Sequence, residues 1–283
     1  MTYNSAMLNP NFLIIDSGIG GLSILQEIQH QIPGASACYV ADNAAFPYGT
    51  QEESNLVARL LTLMPLLQRI TQPDIIIIAC NTASTIVLDP LRAQTRTPII
   101  GVVPAIKPAA QLSRNQHIAL LATPGTIQRQ YTQRLIQDFA SDCTVIKVGS
   151  SELVEEAERK FRGLPVRPEY IRNALAPLAA HLTQIDVLVL GCTHFPFLKE
   201  DISAQLPSTV KMIDSGNAIA RRAAQLLEEM PLSSQKTAQN LFFFTEDTPG
   251  SHILEPGISH FGFDKVQFIG QNTIEFPQNP GAS

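Results

Sequence analysis

Residues 73–84 read Pro-Asp-Ile-Ile-Ile-Ile-Ala-Cys-Asn-Thr-Ala-Ser, and residues 185–196 read Ile-Asp-Val-Leu-Val-Leu-Gly-Cys-Thr-His-Phe-Pro. Each is an apolar run that ends in a cysteine, Cys80 or Cys192, followed by polar groups. Such a run is typical of a buried parallel strand that leads into a helix. Because ligands of open α/β sheets bind at the carboxyl ends of the strands, both thiols are predicted to lie at a ligand-binding edge. A helix start beside the sulfur is expected to lower the pKa of the thiol.

The elements around the two cysteine motifs recur in the same order. The strand predicted over residues 11–16 has a counterpart at 117–122, and the strand over 97–103 has one at 210–213. The nearly constant separation between counterparts indicates a duplicated β/α unit. We therefore predict an α/β protein of two similar open, mainly parallel-sheet domains related by a pseudo-two-fold axis, with the active site in the cleft between them.

The last part of the chain has no counterpart in the middle. It contains a predicted helix, a Pro/Ser/Gln-rich link over residues 230–239 and two further predicted strands. We expect these elements to complete the first half of the molecule. The predicted first domain is therefore discontinuous, residues 1–104 plus 215–283, and the second domain, residues 105–214, is an insertion in it.

Composition excludes several classes of partner. The chain has 283 residues, 45% of them hydrophobic and 16% charged, with a net charge of −5 and no cluster of lysine or arginine. This balance argues against a nucleic acid or an anionic membrane as partner. No stretch approaches the length of a membrane span, and the first ten residues lack the pattern of a signal peptide, so we expect a cytoplasmic location.

The four cysteines have no C-x-x-C spacing, so free thiols are expected rather than a disulfide framework or a zinc ribbon. Cys38 and Cys143 are expected to begin strands and to serve as packing residues. For Cys80 and Cys192 the alternatives are ordinary buried residues, a metal site with His194, or a redox disulfide. Their matched positions favour a shared chemical role over these alternatives.

The turn at residues 16–21, Asp-Ser-Gly-Ile-Gly-Gly, allows two interpretations. A dinucleotide fingerprint would use Asp42 as the ribose-binding acid, although Ser23 occupies the third glycine position. Alternatively, the turn is a backbone nest at a helix start that holds a carboxylate or a phosphate.

Two acid/base groups on opposite walls of a cleft suit the inversion of a carbon stereocentre. One thiolate, from Cys80 or Cys192, would remove a proton while the other residue, as a thiol, delivers one from the opposite face. His194 is either a packing residue or a proton-handling partner of the Cys192 thiol. No lysine stands at an equivalent strand end, so no Schiff-base cofactor is expected.

Other polar groups near the cysteines can bind a small ligand. The hydroxyl of Tyr48 and the amide of Gly49 could hydrogen-bond a polar ligand, the alternative being a simple loop closure. Asn81, Thr82 and Thr193 supply short donors and acceptors next to the sulfurs, the alternative being helix capping.

The motifs resemble those of the glutamate racemases of bacterial cell-wall synthesis, over almost the whole chain. The resemblance rests on residues 16–23 (Asp-Ser-Gly-Ile-Gly-Gly-Leu-Ser), 41–49 (Ala-Asp-Asn-Ala-Ala-Phe-Pro-Tyr-Gly), 79–84 (Ala-Cys-Asn-Thr-Ala-Ser), 101–108 (Gly-Val-Val-Pro-Ala-Ile-Lys-Pro), 121–126 (Leu-Ala-Thr-Pro-Gly-Thr) and 190–196 (Leu-Gly-Cys-Thr-His-Phe-Pro).

The resemblance implies an isomerase that interconverts L- and D-glutamate without a cofactor or a metal, and that supplies D-glutamate for peptidoglycan, cell-wall biogenesis and cell shape. Cys80 would act on one enantiomer and Cys192 on the other, with catalytic roles for Asp16 and His194. The residues that would bind the substrate or position the thiols are Asp16, Ser17, Tyr48, Gly49, Asn81, Thr82, Thr193 and His194.

The resemblance also implies a glutamate within residues 149–160, where Glu152 and Glu158 compete and Glu158 is the favoured candidate. Residues 149–154 resemble the Gram-negative branch, which implies a UDP-linked muramoyl-alanine activator. A monomer or a homodimer is expected. The alternatives are an aspartate or hydantoin racemase of the same superfamily, which would differ in pocket length, or a non-catalytic two-lobed binder or nucleotide sensor.

Overall fold

The computed structural model describes residues 10–230 and 240–269. Most of the predicted link over residues 230–239 and the start of the chain lie outside the described residues. The strands are β1 (Asn11–Asp16), β2 (Ser36–Ala41), β3 (Ile75–Ile78), β4 (Ile99–Gly101), β5 (His117–Ala122), β6 (Thr144–Gly149), β7 (Val187–Leu190), β8 (Lys211–Ile213), β9 (Leu241–Phe244) and β10 (Val266–Phe268).

The α-helices in the same ranges are α1 (Leu22–Gln31), α2 (Glu53–Thr71), α3 (Asn81–Gln94), α4 (Ile106–Leu112), α5 (Pro124–Gln128), α6 (Gln130–Phe139), α7 (Glu152–Phe161), α8 (Pro168–Leu175), α9 (Lys199–Ser203), α10 (Gly216–Glu229), α11 (Pro249–Ile253) and α12 (Glu255–Ser259). Short 3-10 helices lie at Asn43–Ala45, Tyr48–Thr50, Ala176–His181 and Phe195–Leu198. None of the helices in the described ranges combines the length and apolar character that crossing a membrane requires.

The first sheet has six parallel strands in the order β10-β9-β2-β1-β3-β4. Its centre is wholly apolar because helices cover both faces, which explains why β3 is a run of four buried isoleucines. Helices α1 and α10 pack on one face, and α2 and α3 pack on the other. The last two strands of the chain join this sheet beside β2, so the first half is completed by the end of the described chain.

The second sheet has four parallel strands in the order β6-β5-β7-β8. Helices α4 and α6 cover one face, and α7 and α8 cover the other. The order β2-β1-β3-β4 in the first sheet is repeated by these four strands, as a duplicated unit requires. This repeated order supports the proposed division into residues 1–104 plus 215–283 and residues 105–214, and the pseudo-two-fold relation stays a proposal.

The structure corrects some of the predicted elements. No regular α-helix directly follows Cys192, because the 3-10 helix Phe195–Leu198 comes first. The helical segment that follows β5 is divided between α5 and α6 at Arg129, whose backbone is extended. Cys38 lies inside β2 rather than at its start, and burial raises its pKa to about 11, as expected for a packing residue.

The turn between β1 and α1 is packed without space for larger residues. A Cβ at Gly21 would lie 2.7 Å from the Cβ of Ala79 and 2.9 Å from the hydroxyl oxygen of Tyr39. The Tyr39 hydroxyl donates to the Gly18 carbonyl oxygen at 2.8 Å and so supports the turn from below. The glycine is therefore required by the close approach of the neighbouring strands and not by its backbone angles.

Gly21→Ala is expected to lower the free energy of unfolding by about 1–3 kcal/mol, because the added methyl group overpacks a rigid contact. Urea unfolding measures the effect. Gly250→Ala is the matched control, since a Cβ there meets nothing closer than 3.7 Å. Equal stability of the two variants would contradict the packing argument.

Candidate active site

The carboxyl ends of strands from both sheets border one cavity of about 170 Å³. Residues that follow β1, β3, β5 and β7 line it, so it lies where the two halves face each other. Ten residues singled out from the sequence line this cavity: Asp16, Ser17, Tyr48, Gly49, Cys80, Asn81, Thr82, Cys192, Thr193 and His194. Tertiary structure therefore brings together groups that are up to 178 positions apart, from Asp16 to His194.

Cys80 is the N-cap of α3, as predicted, but its pKa is not lowered. Burial raises the pKa of the Cys80 thiol well above its usual value, and the negative charge of Asp16 adds to this. The backbone N–H groups of Thr82 and Ala83 at the helix start act in the opposite direction and are outweighed. The prediction of a lowered pKa was wrong for Cys80 because the helix start could be read from the sequence and the depth of burial could not.

Cys192 is held beside a charged pair. Its sulfur lies 3.9 Å from Nδ1 of His194, and Nε2 of His194 lies 3.0 Å from a carboxylate oxygen of Glu158. Although burial lowers the pKa of His194, its hydrogen bonds to Cys192 and Glu158 and the charge of Asp16 raise it well above its usual value. The raised pKa favours the protonated form of this buried imidazole, which lies between a sulfur and a carboxylate.

The Glu158 carboxylate also fills the glycine-rich turn. Its Oε1 atom accepts a hydrogen bond from the backbone N–H of Ile19 at 2.9 Å, across the two halves of the molecule. A Cβ at Gly18 would lie 2.1 Å from the same oxygen, so this glycine makes room for the carboxylate. The turn does hold a carboxylate, as the nest interpretation predicts, but the carboxylate belongs to the chain itself.

Asp16 is a second buried carboxylate of the site, and it lines the cavity. It is fully buried, and its carboxylate accepts hydrogen bonds from the backbone N–H groups of Ser17 and Gly21, both at 2.7 Å. The hydroxyl of Thr193 lies 3.4 Å from the same carboxylate. Burial raises the pKa of Asp16 in spite of these contacts.

The hydroxyl of Tyr48 is not available to a ligand in the way the sequence suggested. It donates to the carboxylate of Asp42 at 2.8 Å, and Asp42 is fully buried and paired with Arg59. The hydroxyl of Thr245 also donates to Asp42, at 2.7 Å. Asp42 therefore cannot be the ribose-binding acid of a dinucleotide site. Tyr48 lines the cavity, but its hydroxyl proton is donated to Asp42 and not to a ligand.

Three threonine hydroxyls meet at the cavity, and only Thr82 was predicted from the sequence to be a site residue. Thr82 lies 3.1 Å from both Thr123 and Thr126, and Thr123 lies 3.0 Å from Thr126. All three are buried and line the cavity. Thr123 and Thr126 belong to the motif at residues 121–126. This motif follows β5, the counterpart of β1, and that position could have predicted them as site residues.

The cavity contains carboxylates, and its basic side chain is the imidazole of His194. Among the described residues, no lysine or arginine lines it, whereas Glu155 does. Glu158 lies behind His194 and Glu152 is exposed outside the cavity, so neither competing glutamate lines it directly. The side-chain oxygen of Asn81 is buried and accepts no hydrogen bond from the described residues. An acceptor of this kind is suited to a ligand N–H group.

Cys38, Cys80, Cys143 and Cys192 are all free thiols. Cys143 precedes β6 and packs beside the second sheet, away from the cavity. In the described part of the chain, no group of three or more His, Cys, Asp or Glu side chains is arranged to hold a metal ion.

Comparison with known proteins adds independent findings. The family model described as Asp/Glu/Hydantoin racemase matches residues 14–223. The glutamate racemase of Shewanella loihica is 48% identical over 85% of this chain and 89% of its own, and that of Sodalis glossinidius is 45% identical over 92% and 90%. The crystal structure of Escherichia coli glutamate racemase in complex with L-glutamate and activator UDP-MurNAc-ala is 41% identical, with a TM-score of 0.89 over 94% of this chain and 99% of that chain.

The protonated state of His194 makes stability depend on pH in a defined direction. A raised pKa contributes stability that is fully present below pH 6.5 and is lost as the pH rises through the higher pKa of the folded protein. The free energy of unfolding is expected to fall above pH 6.5 by at most about 1.4 kcal/mol per pH unit from this group. In His194→Asn the fall should be smaller.

Chemical denaturation over a pH series measures this difference. His260→Asn, which removes an exposed histidine outside the cavity, is the control. Curves that run parallel for the wild type and His194→Asn would show that His194 binds its proton no more tightly in the folded protein than in the unfolded chain.

Proposed function

The chain belongs to the Asp/Glu/Hydantoin racemase family and, within it, to the glutamate racemases, and we propose that it interconverts L- and D-glutamate by a two-thiol mechanism. It is thus an amino-acid racemase, an isomerase. The observation that carries the mechanism is that Cys80 and Cys192 line one small cavity from opposite halves of the molecule. Each sulfur follows the corresponding strand of the repeated unit.

In each direction one sulfur, as the thiolate, removes the α-proton of glutamate while the other, as the thiol, delivers a proton to the opposite face. The C–H bond on one face breaks first, the resulting carbanion then takes a proton from the other sulfur on the opposite face, and the two sulfurs exchange protonation states. Cys80 acts on one enantiomer and Cys192 on the other. Because the pKa of Cys80 is raised, its thiolate is a stronger base towards a weakly acidic C–H bond. His194 holds a proton beside Cys192, where it can be exchanged with the sulfur.

Glutamate suits the cavity in size and in polar groups. At roughly 10–15 Å³ for each water-sized group, a cavity of 170 Å³ holds on the order of ten non-hydrogen atoms, about as many as glutamate has. With no lysine or arginine among the described lining residues, hydroxyl and backbone N–H groups would bind the two carboxylates, with Ser17, Thr82 and Thr193 as the predicted donors. The free oxygen of Asn81 and the carboxylate of Asp16 would receive the ammonium group.

We place this reaction in the supply of D-glutamate for peptidoglycan, and hence in cell-wall biogenesis and cell shape. The support is the high identity to bacterial glutamate racemases. A cytoplasmic location fits the four free cysteines, since disulfides are rare in reducing compartments. An aspartate or hydantoin racemase is not favoured, because the relatives with the highest reported identities are glutamate racemases.

Cys80→Ser and Cys192→Ser are each expected to reduce racemisation of both glutamate enantiomers at least about a hundredfold, because a serine hydroxyl replaces a positioned acid/base group. Glutamate binding should remain measurable by calorimetry. The assay is polarimetry of L- and D-glutamate without added pyridoxal phosphate, with aspartate as the rival substrate. Cys143→Ser, outside the cavity, is the control and should retain activity. Wild-type turnover by Cys192→Ser, or activity confined to aspartate, would refute the proposal.

We further propose that a UDP-linked muramoyl-alanine activates the enzyme, since the related Escherichia coli structure contains such an activator. A second cavity, of about 200 Å³, lies between α3, β4 and α6. Arg92 offers a cation for a diphosphate, and the partly exposed ring of Tyr131 offers a surface for a base. Thr85 lines this cavity and donates to the backbone oxygen of Thr82, so a ligand there would act on the helix start that carries Cys80.

Arg92→Ala is expected to raise the activator concentration required for half-maximal stimulation at least about tenfold, because a charged hydrogen bond to phosphate is worth roughly 1.5–3 kcal/mol. Initial rates measured against activator concentration give this value. Arg96→Ala removes an exposed arginine that does not line the cavity and serves as the control. The same half-maximal concentration for wild type and Arg92→Ala would locate the activator elsewhere.

A further inference from the structure

The two cysteines are fixed in the structure by different means. Cys80 is built into the start of a 14-residue helix, and its carbonyl oxygen accepts the backbone N–H of Ser84. Cys192 lies in an irregular segment between β7, which ends at Leu190, and a four-residue 3-10 helix. The carbonyl oxygen of Cys192 accepts one turn hydrogen bond, from the backbone N–H of Phe195 at 3.1 Å. A regular helix therefore positions the first sulfur, whereas the second has only a short turn in its own segment and depends more on contacts from other segments.

Ser23 provides such a contact from the other half of the molecule. It lies in the first turn of α1 and is buried. Its hydroxyl oxygen is 2.8 Å from the carbonyl oxygen of Thr193 and 2.7 Å from that of Gly20, so its proton is shared between the two. The other polar contact from Thr193 to the first half, the one with Asp16, is longer at 3.4 Å. Ser23 thus ties the backbone next to Cys192 to the turn that carries Asp16.

Backbone hydrogen bonds hold Gly191 on one side and Phe195 on the other side of this segment, and Ser23 binds the carbonyl between them. Ser23, Cys192 and Thr193 border a small space of about 10 Å³ behind the sulfur, about the size of one water molecule. Without the hydroxyl of Ser23, the Thr193 carbonyl would face this space with no partner from α1. A misplacement on the order of 1 Å at a reacting group can cost about a hundredfold in rate.

We propose that Ser23 is a positioning residue for Cys192, and that it sets the place of the second sulfur relative to the first across the cleft. The inference rests on the two-thiol reaction proposed above. Because the Ser23 hydroxyl is hydrogen-bonded to the segment of Cys192 and its other bond is to Gly20, its loss slows proton transfer at Cys192 more than at Cys80. This asymmetry distinguishes positioning from a general structural role, which would affect both sulfurs alike.

Primary deuterium isotope effects on the two enantiomers measure the asymmetry. With α-deuterated glutamate, Ser23→Ala is expected to lower kcat about tenfold to a hundredfold. The isotope effect should rise for the enantiomer that Cys192 deprotonates, because that step becomes more rate-limiting. It should fall for the other enantiomer, because delivery of a proton by Cys192 then limits turnover.

The cysteine variants calibrate this pattern. Cys192→Ser should shift the two isotope effects in the same directions as Ser23→Ala, and Cys80→Ser in the opposite directions. Ser23→Thr, which restores the hydroxyl, should return kcat and both isotope effects towards wild-type values. If Ser23→Ala does not fold, Ser23→Cys carries the test, because it keeps the shape and donates only weakly.

Ser36→Ala is the matched control. Ser36 is also buried and its hydroxyl contacts a backbone carbonyl oxygen, that of Pro10 at 3.3 Å, but it lies at the end of β2 remote from the cleft. A symmetric loss of rate in Ser23→Ala, or a profile equal to that of Ser36→Ala, would overturn the proposal. Either result can occur while the cysteine variants still support the two-thiol reaction, so the two failures are distinguishable.

Discussion

The buried carboxylate of Glu158 joins the two halves of the molecule at the site. One of its oxygens lies 2.9 Å from the backbone nitrogen of Ile19 in the first half and 3.0 Å from the ring of His194 in the second. Burying a carboxylate costs free energy unless it is hydrogen-bonded and paired. Glu158 therefore needs both Ile19 and His194 in place. The raised pKa of His194 depends on its hydrogen bond to this carboxylate. His194 is in turn the imidazole that contacts the sulfur of Cys192. The glycine-rich turn, which resembles a ligand site in sequence, is instead part of the joint between the halves.

Duplication explains the positions of the two cysteines but not their environments. Both follow a central strand of a four-strand unit with the same order. Cys80 begins a helix and has a raised pKa, whereas Cys192 lies in an irregular segment beside an imidazole whose pKa is also raised. In the proposed two-thiol reaction each sulfur has a mirror-image task, which favours symmetric placement. The contacts that position each sulfur, and the ionisable groups beside it, can differ between the two halves.

Most of the fold could be predicted from the sequence because strands in a parallel sheet are local apolar runs. The bounds predicted for β1 and β5 agree with the structure to the residue, and both cysteines follow their strands as expected. The predicted site residues also meet in one cavity, because parallel strands place their carboxyl ends at a common edge. The expectation of a helix directly after Cys192 was wrong, since the apolar pattern determines where a strand ends and carries no information about the next element.

The sequence by itself determined the α/β class, the repeated order of elements and the placement of both cysteines at strand ends, because each of these follows from local hydrophobic periodicity. Only the tertiary structure decided that Glu158 rather than Glu152 contacts His194, that the Tyr48 hydroxyl belongs to Asp42, and that burial raises the pKa of Cys80. These features depend on partners far away in the chain and on the loss of water around them. Neither the distant partners nor the degree of burial can be predicted from the local pattern of residues.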